Sequence, residues 1–196
     1  TLKAGDKVVE VSSGNMGISL AAIGNLLGLK VTILMPKTMS LERQHLIKLY
    51  GAKLVLTQDF EQAFELCKKY IKRDYFCSNQ FANKSNFDAH FGITAKEIYN
   101  KTKFKNVAAF VAGVGTSGTL SGAGKFLKAK GYKIVGIEPK NARISSQKPP
   151  YKHHKLQGLS DQKTPELFDK NITDQILQIS DNDAIAMTQK LCKELS

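Results

Sequence analysis

The chain has 196 residues, of which 42% are hydrophobic, and this is enough apolar material for one α/β domain or two smaller ones. Its formal net charge of +12 comes from 29 basic and 17 acidic residues, and the lysines are scattered along the chain rather than gathered in one run. Only three residues are arginines, which carry the forked donor best suited to phosphates and bases, so we do not expect a nucleic-acid partner.

Membrane and metal sites are not expected either. No apolar run is long enough to span a bilayer, and no signal peptide opens the chain. Cys67, Cys77 and Cys192 are widely spaced and form no C-x-x-C pair, which argues against a zinc site and for a reducing, cytoplasmic setting. We expect all three cysteines to be buried structural thiols.

The first half of the chain alternates between strand and helix patterns. Strands are predicted at 7–11, 30–35, 53–56 and 75–78, and helices at 15–27, 41–50 and 59–72. This alternation predicts a parallel sheet with right-handed crossover connections. The first helix is predicted to pack through a wide apolar face made of Ile18, Leu20, Ala21, Ala22, Ile23 and Leu26.

A polar, turn-rich stretch at 80–86 predicts a boundary between a domain over residues 1–84 and a second domain over residues 85–196. The later elements are predicted as helices at 88–100 and 117–130, strands at 107–111, 133–138 and 176–179, and a loop at 141–153. Asp181 is the predicted N-cap of a last helix, because apolar residues recur after it at helical spacing.

The first of two glycine-rich turns follows the first predicted strand. The run Ser-Ser-Gly-Asn-Met-Gly at 12–17 offers side-chain oxygens, an amide and two glycines at a helix start. This composition suits a βα turn that holds an anion or the edge of a cofactor. An ordinary turn capped by Ser or Asn gives the same pattern, and the local sequence leaves both interpretations open.

The second glycine-rich turn favours a ligand site. An apolar strand at 107–114 leads into Gly-Thr-Ser-Gly-Thr-Leu-Ser-Gly at 115–122, where free backbone N–H groups, a helix dipole and hydroxyls would meet. This composition is typical of a phosphate cradle. The turn lacks the Lys-Ser/Thr pair of a Walker loop and the glycine spacing of a dinucleotide fold, and the alternative interpretation is a flexible connector.

Five stretches stand out in order along the chain: 12–18, which contains the glycine-rich turn at 12–17; Met-Pro-Lys-Thr-Met-Ser-Leu-Glu-Arg at 35–43; Gly-Ala-Lys-Leu-Val-Leu-Thr at 51–57; 111–119, which ends in the turn at 115–119; and His-Lys-Leu-Gln-Gly at 154–158. Together they resemble the cysteine synthase (O-acetylserine sulfhydrylase) and cystathionine β-synthase family, in which the two turns correspond to the asparagine loop and the phosphate loop. The resemblance implies that this chain has the tryptophan-synthase β-subunit fold (fold type II) and belongs to an enzyme that uses pyridoxal phosphate. Two α/β domains with parallel sheets are then expected, the first being the smaller, mobile one. The chain resembles only the middle of such enzymes and is expected to lack both ends.

The resemblance also implies roles for individual residues. The predicted ligands of pyridoxal 5'-phosphate are Asn15, toward the ring hydroxyl, and the phosphate-loop residues Gly115, Thr116, Ser117, Gly118 and Thr119. The predicted substrate-binding residues are Ser12, Ser13, Gly14, Met16 and Gln80, toward the amino-acid carboxylate, and Gly158 at the mouth of the site. A homodimer is expected, and the C-terminal tail of serine acetyltransferase is a possible partner.

The implied reaction is cysteine biosynthesis by β-replacement on O-acetylserine with sulfide. The family's Schiff-base lysine lies in a motif upstream of the asparagine loop, and no such motif precedes Ser12. We therefore expect the catalytic lysine outside this chain, no catalytic residue within it, and no turnover by the chain alone.

Two alternatives stay open in the sequence. Met16 replaces the family's usual threonine and cannot donate a hydroxyl to a carboxylate, so a cystathionine β-synthase or serine/threonine dehydratase substrate is possible. The residues at 115–119 favour the synthases, because dehydratases tend to have an all-glycine loop. The other alternative is a non-catalytic paralogue or fragment that binds a partner protein.

Overall fold

A computed structural model describes residues 1–142, 154–159 and 164–195 of the chain. The chain divides into two compact units, Thr1–Gln80 and Phe81–Ser196. The boundary lies within the polar stretch from which a domain junction was predicted, and the assignment of 1–84 as the smaller, mobile domain stays a prediction. Within the described ranges, no helix is long and apolar enough to cross a membrane.

The first unit is a four-stranded parallel sheet with the strand order β3-β2-β1-β4. Its elements are β1 (Lys7–Val11), α1 (Asn15–Leu26), β2 (Lys30–Pro36), α2 (Leu41–Leu49), β3 (Lys53–Thr57), α3 (Phe60–Ile71) and β4 (Phe76–Cys77). Each predicted strand and helix of this half is present, with ends that differ by a residue or two.

Two apolar clusters cover the two faces of this sheet. Because side chains alternate along a strand, Val8 points to one face and Val9 to the other. Val8 packs in a cluster with Ala21 of α1 and Ile47 of α2, whereas Val9 packs in a second cluster with Phe60 and Ala63 of α3. The sheet is thus buried on both faces, as its nearly continuous apolar strands indicate.

The predicted packing face of α1 is confirmed at Ile18, Leu20 and Ala21, which lie in or against the first apolar cluster, and is wrong at its other end. The helix is buried through the small residues Gly17, Ala21 and Gly24, whereas Ile23 is 56% exposed and Leu26 is 85% exposed. A Cβ on Gly24 would lie 2.3 Å from Cγ2 of Val31. The helix backbone therefore approaches the sheet too closely for larger side chains, and hydrophobic periodicity alone does not reveal this.

The second unit contains a three-stranded parallel sheet with the order β5-β6-β7. Its elements are α4 (Lys84–Ala89), a first π-helical segment (His90–Thr94), α5 (Ala95–Thr102), β5 (Ala109–Gly113), a second π-helical segment (Gly118–Ala123), α6 (Gly124–Lys128), β6 (Lys133–Pro139), β7 (Gln175–Ile179) and α7 (Asp181–Leu195). Parallel sheets in two α/β units confirm the predicted fold class.

Helix starts account for the main differences from the prediction in this half. The helix predicted from residue 88 begins at Lys84, because the Asn83 side chain accepts a hydrogen bond from the Ser85 N–H at 2.9 Å. In the last helix, Ser180 and not Asp181 is the cap, since its Oγ accepts from the Asp183 N–H at 3.2 Å. Residues 143–153 of the predicted loop lie outside the described residues.

The close contact between α1 and β2 predicts that alanine destabilises the protein at Gly24 but not at Gly92. Gly24→Ala should lower the free energy of unfolding by about 1–3 kcal/mol, because the added methyl overlaps Val31. Gly92→Ala is the control, since a Cβ there meets nothing within 4 Å and Ala is the better helix former by about 1 kcal/mol. Urea unfolding of both variants checks the difference, and equal stabilities would contradict it.

Candidate functional site

The asparagine loop, residues 12–17, closes on the side chain of Ser12 at the end of β1. Ser12 is buried, and its Oγ accepts hydrogen bonds from the N–H groups of Gly14 at 3.1 Å and Gly17 at 2.9 Å. The hydroxyl therefore holds the first turn of α1 against the strand. Asn15, the first residue of α1, is exposed, and Met16 is half-buried.

Arg43 of α2 supports the outside of this loop. Its Cδ atom lies 2.5 Å from where a Cβ on Gly14 would be, so a larger residue at this position would displace the arginine side chain. Its Nη1 donates to the Ser13 carbonyl at 3.4 Å. Sequence analysis gave Arg43 no role, because the contact joins residues 30 positions apart and nothing in the local pattern predicts it.

Gln80, a predicted substrate residue, is tied to the base of the same loop. Its Nε2 donates to the Val11 carbonyl at 2.7 Å. Next to it, the Ser78 hydroxyl donates to one oxygen of Glu10, and the other Glu10 oxygen accepts from the Val11 N–H at 3.0 Å. The segment that follows β4 is thereby joined to the end of β1.

Glu10 is the residue that sequence analysis should have singled out. Its side chain is only 1% exposed, and ionisable side chains are rarely so buried unless they are paired. Burial raises the pKa of this carboxyl above its ordinary value, although hydrogen bonds from Ser78 and from the Val11 N–H oppose the shift. A charged residue inside the apolar run Val-Val-Glu-Val was the available signal.

The phosphate loop, residues 115–119, follows β5 in the second unit. Within the described part of the chain, the backbone N–H groups of Gly115, Thr116 and Ser117 donate no hydrogen bond. Ser117 adopts the left-handed conformation, with φ of 69°, and its buried Oγ shares a hydrogen bond with Ser121 Oγ at 3.0 Å. The Ser117 hydroxyl is thus engaged inside the loop, while the three consecutive N–H groups have no acceptor among the described residues.

Asn86 of α4 packs against this loop and was not anticipated. Its Nδ2 donates to Thr116 Oγ1 at 3.0 Å. A Cβ on Gly118 would lie only 2.0 Å from its Oδ1, so the contact requires glycine at that position. Asn86 therefore fixes both the threonine side chain and the glycine at the start of the helix.

Two further contacts shape the phosphate loop. Thr119 Oγ1 lies 3.2 Å from Nε2 of His90, whose other ring nitrogen lies 3.1 Å from Thr94 Oγ1, and burial lowers the His90 pKa. A Cβ on Gly115 would lie 2.6 Å from the carbonyl oxygen of Gly158. The predicted residue Gly158 thus lies against the loop, and the lowered pKa favours the neutral form of the paired imidazole.

The described structure therefore brings the predicted residues together in two groups, one in each unit. The first group lies at the end of β1 and contains Ser12, Ser13, Gly14 and Gln80, held together by contacts with Val11 and Arg43. The second group is the phosphate loop, which contacts Gly158, Asn86 and His90. Free N–H groups at a glycine-lined helix start form an arrangement that binds phosphates and carboxylates.

Residues 2–196 match the sequence pattern of the family described as pyridoxal-phosphate dependent enzyme. The chain belongs to this family. The match confirms the predicted family and its cofactor, pyridoxal phosphate. The asparagine and phosphate loops therefore lie in a chain whose family uses a phosphorylated cofactor.

A cysteine synthase of Staphylococcus aureus (strain Mu50) is 41% identical over 199 residues, covering 98% of this chain and 64% of that protein. A hydrogen sulfide-producing enzyme from Fusobacterium nucleatum has a TM-score of 0.90 at 38% identity, covering 98% of this chain and 60% of that one. O-acetyl serine sulfhydrylase isoform 3 from Entamoeba histolytica has a TM-score of 0.88 at 38% identity, covering 98% and 59%. The chain thus spans less than two thirds of the length of these relatives.

The buried carboxyl of Glu10 predicts a pH-dependent stability. Because its pKa is raised in the folded state, its contribution to stability is full below the unfolded pKa and is lost as the pH rises through the folded pKa. The free energy of unfolding of the parent chain should therefore fall between pH 4 and pH 7, and that of the Glu10→Gln variant should fall less. Denaturant unfolding at both pH values measures this.

The exposed Glu65→Gln variant is the matched control for the loss of one negative charge. A pH dependence that is equally steep in the Glu10→Gln variant and in the parent chain would show that Glu10 does not titrate in this window.

Proposed function

We propose that the protein is a pyridoxal-phosphate dependent cysteine synthase that makes cysteine by β-replacement on O-acetylserine with sulfide. The observation that carries the proposal is the row of free N–H groups at Gly115–Ser117, in a family that uses a phosphorylated cofactor. The 41% identity to a cysteine synthase supports this choice of reaction.

The phosphate loop suits the phosphate of the cofactor by its chemistry. The N–H groups of Gly115, Thr116 and Ser117 would donate to the phosphate oxygens, and the positive end of the helix dipole would add to this attraction. Gly118 keeps the backbone accessible there, because a side chain at this position has no room beside Asn86. In this proposal the Thr116 and Thr119 hydroxyls take part, with Asn86 and His90 setting their orientation.

In the same proposal, the asparagine loop binds the amino acid. Asn15 would donate to the ring hydroxyl of the cofactor, and the exposed position of its side chain at the start of α1 leaves it available. The backbone of Ser13 and Met16 would bind the substrate carboxylate with the help of Gln80. Gly14, whose N–H donates to Ser12 Oγ, would leave room for the substrate. Since Ser12 Oγ is already occupied by two N–H groups of the loop, we assign Ser12 to shaping the loop.

When bound, pyridoxal phosphate acts as an electron sink for the substrate, and the protein supplies binding, orientation and proton transfer. A base has to take up the proton from the substrate Cα. The family resemblance implies that this base is the Schiff-base lysine. We propose that this lysine lies outside the 196 residues. The residues of this chain would then hold the cofactor and the carboxylate in place while that base acts.

The proposal extends to setting and assembly. A cytoplasmic location agrees with the free thiols of Cys67, Cys77 and Cys192. A homodimer and a serine acetyltransferase tail as partner rest on the family resemblance alone. Met16 leaves the loop without the threonine hydroxyl, and backbone N–H groups would compensate for its loss.

The direct test uses the full-length protein that contains these residues, purified with pyridoxal phosphate and given O-acetylserine and sulfide. We expect cysteine to form, and we expect the isolated 196-residue chain, as the matched control, to bind the cofactor without turnover. A cofactor-loaded full-length protein that makes no cysteine would refute the proposal. Cystathionine from serine and homocysteine, or pyruvate from serine, would replace it with the corresponding alternative.

The packing of Asn86 on Gly118 predicts how the phosphate loop responds to one methyl group. Gly118→Ala should weaken the binding of pyridoxal phosphate by the chain about tenfold or more, because the new Cβ overlaps Asn86 and displaces the loop. Equilibrium dialysis with the cofactor measures the affinity.

The double variant Asn86→Ala/Gly118→Ala removes the overlapping amide and serves as the control. It should recover part of the affinity, although it also loses the hydrogen bond to Thr116. If both variants bind as tightly as the parent chain, the loop is not the phosphate site.

A further inference from the structure

The first unit holds a pair of thiols that the proposed reaction does not use. Cys67 of α3 and Cys77 of β4 are both free, and their sulfur atoms lie 3.5 Å apart. Cys67 is only 5% exposed, whereas Cys77 is half-buried. The third cysteine, Cys192, is exposed in the second unit, so the expectation that all three thiols are buried is wrong.

The two thiols differ in chemistry. The Cys67 S–H donates to the Cys77 sulfur, and this hydrogen bond, together with burial, raises the pKa of Cys67. The same hydrogen bond lowers the pKa of Cys77. Cys77 is therefore the thiol that becomes the nucleophilic thiolate, and Cys67 is the neighbour placed to react with it next.

A cavity gives small molecules access to the pair. It has a volume of about 500 Å³ and is lined by Cys67, Cys77, Phe64, Lys68, Tyr75 and Phe76, among others. Its wall is mainly apolar, with two ionisable side chains, Lys68 and Glu10. The Glu10 carboxyl acts against the hydrogen bond from Cys67, because its charge raises the pKa of Cys77. A hydroperoxide is small enough to enter, and its polar end is compatible with the few polar groups near the sulfur atoms.

We propose that Cys67 and Cys77 are a modification site, at which a hydroperoxide converts the two thiols into an intrachain disulfide. The Cys77 thiolate attacks the terminal oxygen of the hydroperoxide, the O–O bond breaks, and the alcohol leaves with a proton from water. Cys67 sulfur then attacks the resulting sulfenic acid, the S–S bond forms, and the S–O bond breaks. The hydroxide that departs combines with the Cys67 proton as water, so two thiols are oxidised and one hydroperoxide is reduced.

Disulfide formation would act on the segment that carries Gln80. The sulfur atoms have to approach from 3.5 Å to about 2.0 Å, which draws β4 toward α3. Cys77 pairs with Val9 of β1, and the next residue, Ser78, donates to Glu10. The oxidised chain should therefore differ from the reduced chain at residues 76–80, the part of the sheet edge that leads into the proposed substrate residue.

Peptide mapping of the oxidised chain tests the proposal. The native chain is treated with stoichiometric hydrogen peroxide, its remaining thiols are alkylated, and it is digested with trypsin without reduction. Cleavage after lysine and arginine separates the three cysteines into peptides 54–68, 74–84 and 191–193. We expect a species that joins 54–68 to 74–84, with free thiols falling from three to one, and complete reversal by dithiothreitol.

Variants identify the order of the two steps. Cys192→Ser should leave the cross-link unchanged, and Cys67→Ser should trap Cys77 as a sulfenic acid that reacts with dimedone. Cys77→Ser should leave the buried Cys67 unmodified. The peptide map of the wild-type chain tests the cross-link even if a variant folds poorly. A sample oxidised in urea is the control that shows which disulfides form when the three cysteines pair without the folded structure.

The results that would overturn the proposal are also defined. Cross-links that involve only Cys192, or oxidation of Cys77 to a sulfinic acid while Cys67 stays alkylatable, would show that the pair does not form a disulfide. Amide exchange at residues 76–80 that is identical in the oxidised and reduced chains would show that the disulfide does not act on the Gln80 segment. None of these readouts requires the cofactor, so they are independent of the proposed function.

Discussion

Close contact between glycine Cα atoms and a neighbouring side chain fixes the shape of both functional loops. Arg43 lies where a Cβ on Gly14 would be, and Asn86 lies where a Cβ on Gly118 would be. Each contact joins a loop at the carboxyl end of a parallel strand to a helix that is distant in sequence. The positions of the backbone N–H groups in the two loops therefore depend on packing behind each loop as much as on the loop residues themselves.

Each sheet also buries one carboxylate in a strand that has a neighbour on both sides. Glu10 in β1 and Glu138 in β6 are each 1% exposed. Glu10 is satisfied by Ser78 and the Val11 N–H, and Glu138 Oε1 accepts from Gln178 Nε2 on the adjacent strand at 3.2 Å. Because an unpaired buried charge is costly, these partners fix how neighbouring strands leave the sheet, close to the point where loops begin.

Much of the fold could be predicted from the sequence because local patterns determine it. The β1 strand was predicted over its observed range, since a short apolar run before a glycine turn has few other interpretations. The C-terminal part of the packing face of α1 could not be predicted, because Gly24 allows an approach to Val31 that no periodicity reveals. Arg43 and Asn86 were not predicted for a related reason: each contacts a loop 30 residues away in sequence, and the composition of a loop does not indicate what packs behind it.

The two π-helical segments of the second unit pack against each other, and this restricts how the chain can change in length. A Cβ on Gly122 would lie 2.4 Å from the Phe87 carbonyl oxygen and 2.9 Å from His90 Cβ, and His90 bonds to Thr119. A π-helical turn accommodates one residue more than an α-helical turn, so deleting a residue could relax either segment to α-helix. The side chains that follow the deletion would then rotate by about 100°, and in the second segment this would turn Gly122 away from Phe87 and His90. The length of each segment is therefore constrained by its packing against the other.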